Sequence, residues 1–280
     1  MTLKRKILLI VIDGQPWRSA RRLNGNLEGW VQSGAARVWK MRSVLPSTSA
    51  CCYASIHTGV APAEHGCTGN GNVFRLSQPD VFSEVRAGGG ITGAVAHSFW
   101  SEFFNRHPFD RVRDIEYDEP DSKAINHGRF HTMTAASKDN QMTPCDVDLF
   151  ASLTNLGLRF DLNYGMLHTC TLDSMGHRFF HESNVMDHAC HVMDEMLSPF
   201  IPKWRAAGYE VIVTADHGQD DRGHHGGRAA LQQDSALYYF GPAKGPSEDV
   251  VINQLQLAPT ILTRLGAQVP DTMKAGSFLT

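Results

Sequence analysis

The stretch YEVIVTADHGQDDRGHHGG, Tyr209 to Gly227, joins an apolar run to a segment crowded with metal-liking side chains. From Thr214 onward, fourteen residues hold three histidines, three aspartates and four glycines. The run YEVIV has the pattern of a strand covered on both faces, and the glycines after it permit tight turns. The same design recurs along the chain. KILLIVI (6–12) runs into Asp13, and LNYGMLHTCTL (162–172) runs into Asp173 and His177. The strand at 209–215 runs into Asp216 and His217, with His224 and His225 close behind. Ligands of open α/β sheets bind beyond the carboxyl ends of the strands. These distant segments are therefore predicted to converge on one cleft.

Working outward, TGAVAH (92–97) and ALYYFG (236–241) read as further strands, and residues 21–33, 49–58, 183–207 and 254–266 read as helices. Strands separated by helices predict a three-layer α/β sandwich, with a mostly parallel central sheet flanked by helices. The whole of 1–280 reads as a single catalytic domain. Residues 98–145 are rich in Phe, Asp, Arg, His and Asn with weak periodicity, which predicts a small cap or insertion.

The bulk composition excludes several classes. Twenty-six Lys and Arg stand against twenty-nine Asp and Glu, so there is no basic footprint for a nucleic-acid polymer or a membrane surface. The N-terminal ILLIVI run is too short for a signal peptide core and reads as a buried strand; no stretch approaches transmembrane length. The expected location is cytoplasmic. Six cysteines without CxxC spacing fit free thiols there.

A lone Asp-His pair is ordinarily a solvated loop or a helix cap. Four such segments at strand ends are harder to obtain from caps alone. The donors are all Asp and His, which suit zinc, manganese or iron in an open site rather than a closed structural zinc. Asp173 and His177, at i and i+4, can face one ion from a single helical turn.

Five motifs taken together resemble the alkaline phosphatase superfamily, and within it the type I phosphodiesterase/nucleotide pyrophosphatase branch. They are IVIDG, PSTSACCYASIHTGVAPAEHG (46–66), LDSMGH, TADHGQDDRGHHGG, and the tail LAPTILTRLGAQVPDTMKAGSFL (257–279). The resemblance implies two divalent ions, zinc foremost and manganese or iron as alternates. One would be held by Asp13, Asp216, His217 and the nucleophile oxygen. The other would be held by Asp173, His177 and His225, the histidine directly before the paired glycines Gly226–Gly227. Among Ser47, Thr48 and Ser49, the family spacing back from Thr58–Gly59 implies Ser49 as nucleophile, at a helix N-terminus suited to phosphate.

The implied reaction is hydrolysis of phosphodiester or pyrophosphate bonds in a small-molecule substrate, through a covalent phosphoserine. The sulfatase motif C-x-P-x-R is missing, since Ser49-Ala50-Cys51-Cys52-Tyr53 stands in its place. Phosphomonoesterase and phosphonate hydrolase remain the alternatives of the same fold, and a catalytically silent metal-binding module is the alternative of another class. One departure bears on specificity. Nucleotide pyrophosphatases carry an Asn where this chain has Cys52, so the phosphate contact falls to Asn70 or Asn72 in the GNGN turn. His97, Trp100, His127 and Arg129 are the candidates for gripping the leaving group.

Overall fold

In the computed structural model, residues 3–133 and 142–280 are described. The apolar runs form the strands that their patterning predicts. β1 (Lys6–Ile12) shows a period of two: Ile7, Leu9 and Val11 enter one hydrophobic core, while Leu8, Ile10 and Ile12 enter another on the opposite face. One sheet thus separates two cores, each closed by helices. Ser49–Thr58, Ser98–Phe104 and Leu257–Leu265 cover the first. Asp146–Phe160, Asn184–Leu197 and Phe200–Ala206 cover the second.

The other strands are β2 (Arg37–Arg42), β3 (Thr92–His97), β4 (Glu116–Asp118), β5 (His127–His131), β6 (Tyr164–Thr169), β7 (Tyr209–Thr214), β8 (Asp234–Phe240) and β9 (Ile252–Asn253). Their spatial order is β4-β5-β3-β6-β1-β7-β8-β2-β9. The sheet is mixed, which corrects the expectation of a mostly parallel one. β5, β3, β6, β1 and β7 run parallel, whereas β8 is antiparallel to β7 and β2, and β4 to β5. The reason lies in the connections. A parallel neighbour needs a crossover of a dozen or more residues, usually a helix. Between β7 and β8 the chain spends its length on the Asp- and His-rich loop and one short helix, Ala230–Gln233, and returns beside the strand it left.

Three helical expectations are also refined. The pattern at 183–207 divides at Pro199 into Asn184–Leu197 and Phe200–Ala206, because proline cannot continue the backbone ladder. The pattern at 21–33 lies on two helices, Trp17–Leu23 and Gly25–Gln32, which meet at Asn24. Residues Gln254–Gln256 form a 3₁₀ turn ahead of Leu257–Leu265.

The segment 98–145 does not stand apart as a cap over its described length. β4 and β5 extend the sheet, and Trp100, Phe103, Phe104 and Phe130 are core residues. Its aromatic content is sheet-covering mass. Residues 134–141 of that segment lie outside the described residues. Among the described residues no helix is long and apolar enough to cross a membrane.

Parallel register brings the strand ends level. Val11 pairs with His168 and Thr214, Ile12 with Thr169, and His97 with His131. The residues that follow β1, β6 and β7 therefore emerge side by side at one edge of the sheet.

Candidate metal centre

At that edge the turn after β1 presents Asp13, the turn after β7 presents Asp216 and His217, and the first turn of the helix Ser49–Thr58 presents Ser49. His217 Nε2 lies 3.1 Å from Ser49 Oγ, 3.2 Å from Asp216 Oδ2 and 3.5 Å from Asp13 Oδ1. Its other nitrogen, Nδ1, donates to the Gly218 carbonyl at 3.0 Å. A ring protonated at Nδ1 alone turns the lone pair of Nε2 toward two carboxylate oxygens. Both oxygens, Asp13 Oδ1 and Asp216 Oδ2, are buried without a hydrogen bond. Three acceptors facing one point are stable only around positive charge. The donor set fits a divalent cation.

Asp173, from the first turn of the helix Thr171–Phe179, anchors a second cluster. His177 Nε2 lies 3.3 Å from Asp173 Oδ2 and 3.3 Å from His225 Nε2, which itself is 3.6 Å from Asp173 Oδ1. His225 Nδ1 donates to the Ser47 carbonyl at 3.2 Å, so its Nε2 also offers a lone pair. The two clusters adjoin. One ligand atom from each of Asp13, Asp216 and His217 falls within 4.8 Å of the others, and the same holds for Asp173, His217 and His225. The His217 and His225 rings stack at 4.1 Å.

The charges show the same strain. Burial raises the Asp13 carboxyl, but the hydrogen bond from His168 and the nearby His217 outweigh it and hold Asp13 well below the usual carboxylate range. Burial, then the charge of Asp13, push Asp216 well above that range. Two carboxylates so close together in so little solvent oppose each other's ionisation. Burial and then His217 lower His225 to about 4, leaving it the neutral imidazole that a metal ligand must be.

The cleft above has a volume of about 650 Å³. Ser49, Asn70 and His97 line it. Asn70 Oδ1 accepts from the Ala50 N–H at 2.9 Å, and His97 Nδ1 accepts from the Phe99 N–H at 3.3 Å. His224 lies at the cleft wall with its side chain 69% exposed, while that of His225 is 10% exposed.

Four of the substrate candidates are not among the lining residues. Asn72 is on the surface, its amide donating to the Gly66 carbonyl. Trp100 is wholly buried beneath the site, stacked on Tyr53 at 4.7 Å. His127 is bound to Asp118 at 2.8 Å and stacked on Phe160. Arg129 pairs with Glu116 and Asp118. Pairing of β4 with β5 consumes the polar groups of these last two at the far edge of the sheet.

Sequence reasoning missed several neighbours. Tyr53 donates to Asp13 Oδ2, and His168 Nε2 lies 3.0 Å from the same oxygen. Gln219 donates to the Asp173 carboxylate and carbonyl. Two signals were present: Tyr53 is i+4 from Ser49 on one helix, and His168 interrupts an otherwise apolar buried strand. Arg111, which also lines the cleft, carried none.

Gly14 ties the two acidic turns together. Its φ is +73°, its N–H donates to Asp216 Oδ1 at 3.1 Å, and a Cβ there would lie 2.9 Å from the Asp173 Cα. Gly14→Ala is expected to cost about 1–3 kcal/mol in backbone strain and to push Asp173 aside. Thermal midpoint and bound metal should both fall; a variant of normal metal content would show that the turn tolerates the methyl group.

Comparison with known proteins places these features in context. A family model described as type I phosphodiesterase / nucleotide pyrophosphatase matches residues 7–229. GPI ethanolamine phosphate transferase 3 of Schizosaccharomyces pombe is 30% identical over 118 residues, which are 39% of this chain and 13% of that protein. The matched stretch is thus a small part of that relative. Murine ectonucleotide pyrophosphatase / phosphodiesterase 5 superposes with a TM-score of 0.72 at 13% identity, covering 99% of this chain and all of that one. That protein is also known as an inactive variant in complex with AMP. A phosphonate monoester hydrolase from Silicibacter pomeroyi superposes with a TM-score of 0.61 at 16% identity, covering 98% of this chain and 76% of that one. At these identities the structural likeness is one of fold.

Proposed function

Because the chain belongs to the type I phosphodiesterase / nucleotide pyrophosphatase family, a family of metal-dependent hydrolases, we propose that it cleaves phosphodiester or pyrophosphate bonds of a small-molecule substrate, with Ser49 as nucleophile. The observation that carries this reading is the 3.1 Å contact of Ser49 Oγ with His217 Nε2, among the unpartnered oxygens of Asp13 and Asp216. Asp13, Asp216, His217 and Ser49 would hold one divalent ion, and Asp173, His177 and His225 another. Bound there, two ions, zinc foremost, supply the positive charge that lowers the pKa of the Ser49 hydroxyl and stabilises the leaving oxygen.

The chain's own groups do the rest. Ser49 Oγ gives its proton to solvent and attacks phosphorus, the P–O bond to the leaving group breaks and the released oxygen takes a proton from solvent, and water later cleaves the phosphoserine ester to restore Ser49. Asn70 positions the phosphoryl group. Its Oδ1 is committed to the Ala50 N–H, so its Nδ2 amide is the donor left for a phosphate oxygen, in the role that Cys52 cannot fill. Asn70→Ala is expected to lose about 1.5–3 kcal/mol, roughly ten- to a hundredfold in kcat/KM. Asn70→Asp should be worse, since it sets a negative charge against the phosphate. Equal kcat/KM for Asn70→Ala and the native enzyme would remove Asn70 from the site.

A diester fits this cleft better than a monoester. Among its described lining residues Arg111 is the one Lys or Arg, and it is exposed. A monoester dianion asks for more fixed positive charge than a diester monoanion. The metal-reconstituted enzyme should hydrolyse bis(p-nitrophenyl) phosphate at least about tenfold faster than p-nitrophenyl phosphate, a difference of about 1.4 kcal/mol. The reverse order would establish the monoesterase alternative. Similarity to an ethanolamine phosphate transferase favours a second reading, in which an alcohol replaces water in the second step. Adding ethanol or glycerol to the assay distinguishes them, because a transferase yields the new ester at the expense of free phosphoester.

A further inference from the structure

We propose a third cation site, formed by His131, His168 and Cys170 and suited to a thiophilic divalent ion such as zinc, beside the Asp and His pair of clusters. His131 ends β5, His168 lies near the end of β6, and Cys170 follows that strand. Cys170 Sγ lies 3.7 Å from His168 Nδ1 and 3.9 Å from His131 Nε2, and one ligand atom from each residue falls within 4.8 Å of the others. Zinc–sulfur and zinc–nitrogen bonds of about 2.3 and 2.0–2.1 Å set sulfur and nitrogen roughly 3.5 Å apart in a tetrahedral site. Both sulfur–nitrogen distances are a few tenths of an ångström from that spacing.

The hydrogen bonds around the cluster turn an imidazole nitrogen of each histidine toward the sulfur. Tyr53 donates its hydroxyl proton to Asp13 Oδ2, and its oxygen lies 2.7 Å from His168 Nε2. Nε2 also faces Asp13 Oδ2 at 3.0 Å. Two acceptors at Nε2 require the His168 proton there, which leaves the lone pair of Nδ1 turned toward sulfur. His131 turns its Nε2 to the same sulfur, while its Nδ1 is buried without a hydrogen bond. With the His131 proton on Nε2 the ring donates to the sulfur, and with it on Nδ1 the lone pair of Nε2 faces the sulfur and is open to a cation. A cation serves the sulfur and both nitrogens at once. Burial, and then the charges of Asp13, Asp173 and Asp146, oppose a bare Cys170 thiolate, while the same charges favour a cation. Cys170 lines the cleft, so an ion has a way in.

The consequence reaches the proposed chemistry, and this part rests on the functional reading above. An ion on Nδ1 locks the Nε2–H tautomer of His168 and holds that proton on Asp13, a proposed ligand of the first metal.

Cobalt(II) reconstitution of the chelated protein tests the site without any turnover. The Asp, His and Ser ligands of the other clusters contain no sulfur, so a thiolate-to-cobalt charge-transfer band in the near ultraviolet reports this site alone. The native chain should bind three equivalents and show the band. Cys170→Ala should bind two and lack it, and His131→Ala should lose it at least tenfold at equal cobalt. Should Cys170→Ala fail to fold, Cys170→Ser keeps the volume and His131→Ala keeps the thiol. A native chain that binds cobalt without the band, or a band that survives loss of Cys170, overturns the proposal. Cobalt unaffected by Cys170 substitution reports the Asp and His clusters, so failure of the functional reading is seen separately.

Discussion

Ser49→Ala should retain the fold and most of the bound metal, and lose turnover of a phosphodiester by about a hundredfold or more, equal to about 3 kcal/mol. The hydroxyl contacts His217 Nε2, and Ser49 lines the cleft. Its removal takes away the proposed attacking oxygen while leaving the six Asp and His side chains of the two clusters. Water can still attack phosphorus directly, which sets the residual rate. Ser49→Thr should keep more activity than Ser49→Ala, because the hydroxyl survives beside a crowding methyl. The neighbours are informative controls. Ser47 Oγ accepts from the Gly226 N–H and donates to the Gly227 carbonyl, bracing the loop behind His225. Ser47→Ala should therefore lower metal affinity and activity together. Thr48 Oγ1 turns to Cys51 Sγ at 3.2 Å, and Thr48→Ala should leave metal content unchanged. Loss of turnover in Thr48→Ala with retention in Ser49→Ala would move the nucleophile by one residue.

Asp216→Asn should have opposite effects on the metal-free and metal-loaded protein. The folded Asp216 carboxyl titrates well above its ordinary range, through burial and the charge of Asp13. A group whose folded pKa is raised contributes stability below its unfolded pKa and loses it as pH rises through the folded value. The chelated native protein should thus weaken as pH rises through that raised value. Chelated Asp216→Asn, which has no proton to lose there, should be flatter with pH and more stable at its upper end. Metal reverses the order. At a concentration a thousandfold above Kd, a bound ion stabilises by about 4 kcal/mol, and Asp216→Asn should forgo that gain at the first cluster. Thermal midpoints across a pH series, with chelator and with zinc, measure both halves. A chelated variant that melts below the chelated native protein at high pH would show that Asp216 stabilises the empty fold.

Much of this architecture is legible in the sequence where burial is two-sided. β1, β3 and β7 are buried almost throughout and mostly apolar, and their strand ends point to the cleft. The family spacing that implies Ser49 runs along one helix, which Gly59 closes at a φ of 65°. Strands with one polar or paired face were harder to see. β2, RVWKMR, carries Arg37, Lys40 and Arg42, and becomes a strand by pairing with β8. β5, HGRFH, is polar and takes its strand form from β3 and β4. That polarity made 98–145 look like a cap, although Trp100, Phe103 and Phe104 belong to the core. The direction of β8 depends on how the loop after His217 returns, and hydrophobic periodicity does not encode it. His127 and Arg129 are polar residues whose partners, Glu116 and Asp118, come from a three-residue strand too short to recognise.

The stereochemistry at phosphorus tests the central claim most directly. A phosphorothioate diester of known configuration, hydrolysed in oxygen-18 water, reports how many displacements occur at phosphorus. Attack by Ser49 followed by attack of water inverts the centre twice, so the account predicts net retention. Net inversion would mean a single displacement by water, and would contradict the phosphoserine that the proposed role of Ser49 requires.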